Sequence, residues 1–294
     1  MTTTPKIVIS VDEAINRIKM GRFQTQVLFA TGTCFMADSM QVMLLSFLTR
    51  VLQREWGFDE TIGSSITSCL FAGAMIGTLI LGPAGDKIGR KPILMICATI
   101  ISAFGFGTAL CNNYISMMIV IWIVGFGVGG LTVPYDILAE FLPTSHRGKY
   151  LLLIKYFWTI GSCLIPVLAY VSFEIVGSWR VFAMFCALPS VFSILVSSMF
   201  VPESPRWLVS MGRKEKALEI LREAARRNGV DTSQAFPTGI SLRDEEKESS
   251  DFRELLNVRA ISCLCLFVSS RVKICSYSYS SSNFCLAYSQ DGED

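Results

Sequence analysis

IGSSITSCLFAGAMIGTLIL (62–81), GPAGDKIGRKP (82–92) and ILMICATIISAFGFGTAL (93–110) follow one another without a break. The outer two pieces have the length and apolarity of helices that cross a hydrocarbon core, which takes roughly 20 residues at a rise of about 1.5 Å each. The middle piece is short, rich in glycine, and carries Lys87, Arg90 and Lys91 beside one acid, Asp86. The stretch predicts two membrane helices joined by a basic loop at one surface.

The same pattern extends to either side. Val27–Leu48, Ile115–Val133, Leu151–Val171 and Val181–Val201 are further apolar windows of spanning length, which makes six with Ile62–Leu81 and Ile93–Leu110. Backbone polar groups in lipid must be satisfied within the segment, so the windows read as helices and the fold class as an all-α membrane protein. Glycine and serine recur inside them, as close helix packing in lipid requires. Composition agrees, with 51% hydrophobic and 17% charged residues, against roughly 25% charged in soluble domains. Mean hydropathy is +0.48.

Charge placement sets orientation and domain limits. With the N-terminus inside, the inner segments hold Lys6, Arg17, Lys19, Arg22, Lys87, Arg90, Lys91, Arg147 and Lys149, whereas the outer loops hold Arg50, Arg54 and Arg180. The excess of Lys and Arg predicts that both ends of the bundle are cytoplasmic. The organisation expected is a cytoplasmic segment (1–26), a six-helix bundle (27–202), a cytoplasmic loop with an amphipathic helix (203–257) and an atypical tail (258–294) holding an incomplete seventh span. In the loop, KEKALEILREAARRN (214–228) puts Leu218, Leu221, Ala224 and Ala225 on one helical face, with Glu219/Arg222 and Glu223/Arg227 at pairing distance. Thr232–Asp251 is polar and reads as a linker. Asp12 and Glu13, with no apolar core before Val27, argue against a cleavable signal peptide.

Several function classes drop out. The net charge of +2 makes no case for nucleic acid, because the basic residues sit in short loops and one amphipathic stretch. Five of the ten cysteines fall inside apolar runs, and Cys263, Cys265, Cys275 and Cys285 lack paired ligand spacing. His146 is the only histidine. No metal, cofactor or nucleophile–base constellation is expected, and hence no enzyme. Gly125-Phe-Gly-Val-Gly-Gly130 matches a dinucleotide fingerprint in letters, but that motif needs a preceding strand. Close helix packing is the better account.

Three motifs carry a family resemblance. Gly82-Pro-Ala-Gly-Asp-Lys-Ile-Gly-Arg-Lys91 resembles the loop signature of major facilitator superfamily transporters. Pro134-Tyr-Asp-Ile-Leu-Ala-Glu140, with Pro143 and Arg147-Gly148, resembles the sugar-porter element, as does Pro202-Glu-Ser-Pro-Arg-Trp-Leu208 after the sixth window. More narrowly, Met20-Gly-Arg-Phe-Gln24, Phe35-Met-Ala-Asp-Ser-Met40, Gly125–Gly130, Ala139-Glu-Phe-Leu-Pro143 and Asp251-Phe-Arg-Glu-Leu-Leu256 are similar to synaptic vesicle 2-related proteins. These matches cover residues 10–258. The resemblance implies the N-terminal half of a facilitator fold, truncated here. It also implies a gating network at the inner face made of Gly82, Asp86, Gly89, Arg90, Lys91, Glu140, Arg147, Glu203 and Arg206. Glycines there would allow a tight turn and close helix approach. The membrane implied is that of a vesicle or another intracellular compartment, with the plasma membrane as the alternative.

Asp38 is the residue with the most chemistry. A carboxylate in the middle of a span costs about 2.5–3.5 kcal/mol to insert, so it faces a cavity or a partner. Proton coupling or recognition of a cationic group is one reading; a carboxyl buried neutral within the bundle is the other. Gln41 stands where the related proteins carry glutamate. Proton-coupled sugar porters place an arginine where this chain has Ile121, so sugar symport by an Asp38–arginine pair is not implied. Lys155 is a third coupling candidate, with snorkelling to the surface as the plain alternative. The sequence thus points to a secondary transporter of a small organic solute, an organic ion or a sugar, incomplete as one chain. The competing reading is a truncated form that binds or regulates a full-length relative, or pairs with its own copy.

Overall fold

The computed structural model describes residues 7–237 and 240–243. The tail after residue 243, with the segment compared above to a seventh span, lies outside them. Among the described residues six helices are long and apolar enough to cross a membrane: α2 (Arg22–Trp56), α3 (Glu60–Ile88), α4 (Arg90–Ala109), α5 (Tyr114–Val128) continued by a 3-10 turn (Gly129–Leu131) into α6 (Thr132–Phe141), α7 (Arg147–Tyr170) and α8 (Trp179–Phe200). A short helix α1 (Val11–Ile18) precedes them. Short helices α9 (Pro205–Ser210), α10 (Lys214–Arg227) and α11 (Thr232–Ala235) follow.

Helix ends differ from the apolar windows for a physical reason. A helix in a bilayer continues through the interface wherever its polar residues remain helix formers, so hydropathy under-reads its length. α2 has 35 residues, about 52 Å at 1.5 Å per residue, against a hydrocarbon core of about 30 Å. It stops at Gly57, whose φ of 64° lets its N–H cap Gln53 O. The tight turn expected across Gly82–Lys91 is likewise confined to one residue. α3 runs on through Gly82 and Pro83, and the chain reverses at Gly89, with φ of 120°.

Packing proceeds α7–α2–α8–α4–α5–α3, and the pairings repeat: α2 against α7 and α8 is matched by α5 against α3 and α4, with α4 and α8 in contact between the two sets. Such internal three-plus-three repetition is characteristic of facilitator halves. α2 is the central helix, with 89% of its most apolar stretch buried, whereas only 17% is buried in α7.

α3 and α5 approach backbone to backbone. A Cβ on Gly73 would run into Trp122 O, on Gly77 into Phe126 O, on Gly125 into Leu70 O and on Gly129 into Ala74 O. Thr78 Oγ1 donates across this seam to Gly129 O at 2.9 Å. The glycines of 125–130 therefore serve helix packing.

A small cap closes the charged end. Strands β1 (Ile7–Ile9) and β2 (Ile240–Leu242) pair in parallel, with Ile7 opposite Ile240 and Ile9 opposite Leu242. Helix α1 buries Val11, Ala14, Ile15 and Ile18, one amphipathic face, in a core shared with Ala217, Leu221, Ala224 and Ala225 of α10. Leu218, placed on that face from the sequence, is only half-buried, and Ala217 takes its place. Glu223 pairs with Arg227 at 3.0 Å and with Arg226. Hydrogen bonds from Arg227 first, then Arg226, hold its carboxyl below the usual range. Its contribution to α10 is therefore present above the ordinary carboxylate range and lost as pH falls through the lowered value.

Among the described residues Lys19 is the only non-glycine with positive φ, at φ 58° and ψ 177°. That region is natural to glycine and costs another residue about 1–3 kcal/mol. Lys19 O accepts from Gln24 Nε2 at 3.0 Å and from Asn228 Nδ2 at 3.1 Å, which holds the turn. Lys19→Gly is expected to stabilise the cap by about 1 kcal/mol, read as slower hydrogen exchange in α1 and α10.

Candidate functional site

Two regions gather the candidate residues. The first lies inside the bundle at mid-length of α2. Asp38 is 4% exposed and borders a cavity of about 20 Å³ with Cys34, Cys97, Pro134, Ser190 and Ser193. That is room for one water. Ser190 Oγ donates to Ala187 O at 2.6 Å and Ser193 Oγ to Ser190 O at 2.8 Å. Their hydroxyl hydrogens are committed to the backbone, so the oxygens offer lone pairs.

Gln41 lies almost one turn further along α2 and is buried; its Nε2 donates to Cys186 O at 3.2 Å, while its Oε1 has no partner among the described residues. Lys155 lies on α7 with its ammonium over the Phe35 and Tyr135 rings, 4.9 and 5.2 Å from their centroids. The structure thus sets Lys155 against rings of α2 and α6. Ile121 is buried in the apolar cluster with Met117 and Val124.

The second region is the charged end. Arg90, at the first position of α4, meets three carboxylates: Glu140 through Nε at 3.1 Å, Asp136 through Nη1 at 3.2 Å and Asp86 through Nη2 at 3.6 Å. Ser204 Oγ donates to the other oxygen of Glu140. Glu203 acts on backbone instead, since its Oε1 accepts from Arg90 N, Lys91 N and Ser204 N at 2.9–3.1 Å. It supplies the carboxylate that the start of α4 favours, where Gly89 has no side chain to cap with. Lys91 Nζ donates to Ser198 O at 3.3 Å. Gly82 has open space around its Cβ position.

Arg147 and Arg206 belong to a different group. Both reach Asp12 Oδ1 of α1, at 3.4 and 2.6 Å. The residues expected to form one network gather around two centres, Arg90 and Asp12, and Arg206 links them through its electrostatic effect on Glu140. Asp136 and Asp12 were not singled out in the sequence. Asp136 had a signal, since it lies one turn before Glu140 on the same helix. Asp12 stands 194 residues from Arg206, a separation no local pattern spans.

Among the described residues no group of three or more His, Cys, Asp or Glu side chains is placed to hold a metal ion. A family model described as Sugar (and other) transporter matches residues 20–289, running past the residue-258 limit of the motif matches. The chain is 34% identical over 246 residues to Organic cation/carnitine transporter 7 of Arabidopsis thaliana, covering 84% of this chain and 48% of that protein. It is 33% identical over 248 residues to Synaptic vesicle 2-related protein of Xenopus laevis, covering 84% and 44%. The fold matches the xylose transporter XylE from E. coli with a TM-score of 0.62 at 21% identity, over 73% of this chain and 58% of that one.

The fold is that of the N-terminal half of a major facilitator. The chain belongs to the Sugar (and other) transporter family and resembles synaptic vesicle 2-related proteins; it is a multi-pass membrane protein. It spans about half the length of the curated relatives it matches.

Proposed function

We propose that the chain supplies the N-terminal half of a proton-coupled secondary transporter for a small organic solute, in a vesicle or other intracellular membrane. The observation that carries this is Asp38, a buried carboxylate at mid-span beside a cavity of one water's size. In this reading Asp38 takes up and releases the proton. Gln41 and Lys155 set the polarity of the path, and the charged end faces the cytoplasm, in keeping with the excess of Lys and Arg there. The Arg90 and Asp12 clusters act as contacts that re-form as two halves rock about a central site.

Of the two solute classes, an organic cation fits better than a sugar. Ile121 is buried among apolar side chains, so the position used by sugar porters for an arginine carries no charge here. One relative is named for organic cations and carnitine. A second reading is binding to a full-length relative or a second copy of the chain. Uptake of a panel of organic cations and sugars into vesicles made from native membranes that contain the chain, with and without a pH gradient, tests the first reading. Cross-linking in native membranes tests the second, which a purely monomeric pattern would remove.

A further inference from the structure

Two aromatic rings inside the bundle are occupied by a cation that belongs to the chain itself. The Lys155 ammonium lies over the ring of Phe35 on α2, 4.9 Å from its centroid, and over that of Tyr135 on α6, at 5.2 Å. Lys155 stands just over two turns from Arg147 at the start of α7, about 12 Å of helix. Its side chain leans toward that charged end, but its ammonium is seated on rings contributed by two other helices.

Phe35 is 1% exposed with the ammonium in place. Tyr135 is half-buried against the same apolar cluster, as is Trp158, three residues on from Lys155 and on the same side of α7. Lys155 itself is exposed, so its ammonium has a way out.

What such a place selects follows from the rings. The face of an aromatic ring is its negative side, which attracts a cation and repels an anion. A sugar brings hydroxyls and no charge. Size and shape follow from the present occupant, since a lysine side chain beyond Cα is an n-butylammonium ion. We propose that Phe35 and Tyr135 recognise the ammonium group of the solute, and that Lys155 is its resident stand-in. Lys155 leaves the rings when an alkylammonium solute enters and returns when the solute departs. This deepens the organic-cation reading and rests on it; Asp38, almost one turn beyond Phe35 on α2, keeps the proton.

The test is binding, read without transport. The purified full chain in detergent is titrated with n-butylammonium, and the rise in melting temperature gives the apparent affinity. n-Butanol, the same stem without the charge, is the control. Lys155→Ala removes the stand-in and should tighten butylammonium binding about tenfold, the weight of one partly desolvated cation–ring contact, with no such gain for butanol. Lys155→Arg keeps a cation that stacks on the rings and should leave the wild-type affinity. Adding Tyr135→Leu to Lys155→Ala should cancel most of the gain. Lys155→Gln serves if Lys155→Ala does not fold, with a gain in the same direction.

An equal gain for butanol would mean that the alanine merely leaves a cavity. A gain that survives Tyr135→Leu would mean that only charge repulsion was relieved. Either result overturns the proposal, and so does unchanged butylammonium binding in the folded Lys155 variants. Failure here leaves proton-driven uptake to its own assay, and a chain that moves no solute can still pass this one.

Discussion

Gly125→Val is expected to lower the unfolding free energy by about 3 kcal/mol or more, the upper end of what overpacking costs. At Gly125 the nearest atoms to an added side chain are backbone, with Leu70 O in direct collision and Leu70 C at 2.8 Å. Backbone within a helix cannot swing aside as a flexible side chain does, so α3 and α5 must separate along their length. Separation also breaks the hydrogen bond from Thr78 to Gly129, a cross-helix bond of a kind worth about 0.6 kcal/mol in a membrane protein. Gly148 supplies the control. It lies in the first turn of α7 with open space around its Cβ position, so Gly148→Ala should be neutral or stabilise by up to about 1 kcal/mol. Thermal unfolding in detergent separates the two, and equal melting temperatures for both variants would refute the seam.

Arg90→Gln is expected to be nearly as damaging, by about 2–3 kcal/mol. Its guanidinium serves Glu140, Asp136 and Asp86 together. Removing it leaves three carboxylates facing one another, with Glu140 almost wholly buried. Stranding a charge in a fully buried pair costs about 3–5 kcal/mol. The lower figure here reflects Asp86 and Asp136, whose side chains are half exposed and screened by water. Arg90→Lys should recover only part of the loss, because an ammonium cannot present the fork that meets three acids. Adding Glu140→Gln to Arg90→Gln should return about 1 kcal/mol, since the stranded carboxylate is then gone. Additive losses in this double variant would show that the two residues do not interact.

How far these contacts are legible in the sequence depends on the distance along the chain that separates the partners. The spans are legible because six successive apolar runs of membrane length do not fit inside a soluble core. Their ends are not, since Arg22–Gln26 and Thr49–Trp56 continue α2 as ordinary polar helix. Asp86 and Arg90, one turn apart by number, and Glu140 within a spaced motif could be named as partners. The motif places Glu203 in this region but not its partners, because a carboxylate's choice between a guanidinium and a helix start depends on tertiary geometry. Helix α1 of the cap has a local signature, whereas its choice of partners has none. Ser10-Val-Asp-Glu13 opens a short helix, with Glu13 N donating to Ser10 Oγ at 3.1 Å, and Val11, Ala14, Ile15 and Ile18 trace its apolar face. In the sequence these acids served only as grounds against a signal peptide. What places α1 is contact of Ile18 O with Asn228 and of Asp12 with Arg206, about two hundred residues away.

Whether Asp38 couples protons to solute movement is tested most directly by pH-gradient-driven uptake, measured for wild type and Asp38→Asn in the same vesicles. The amide keeps the shape of the side chain and removes its titration. If Asp38 carries the proton, accumulation by the wild type rises with the imposed gradient. Asp38→Asn then loses that rise, with an unchanged melting temperature showing the bundle intact. Gradient-driven uptake by Asp38→Asn equal to that of the wild type would contradict the coupling role.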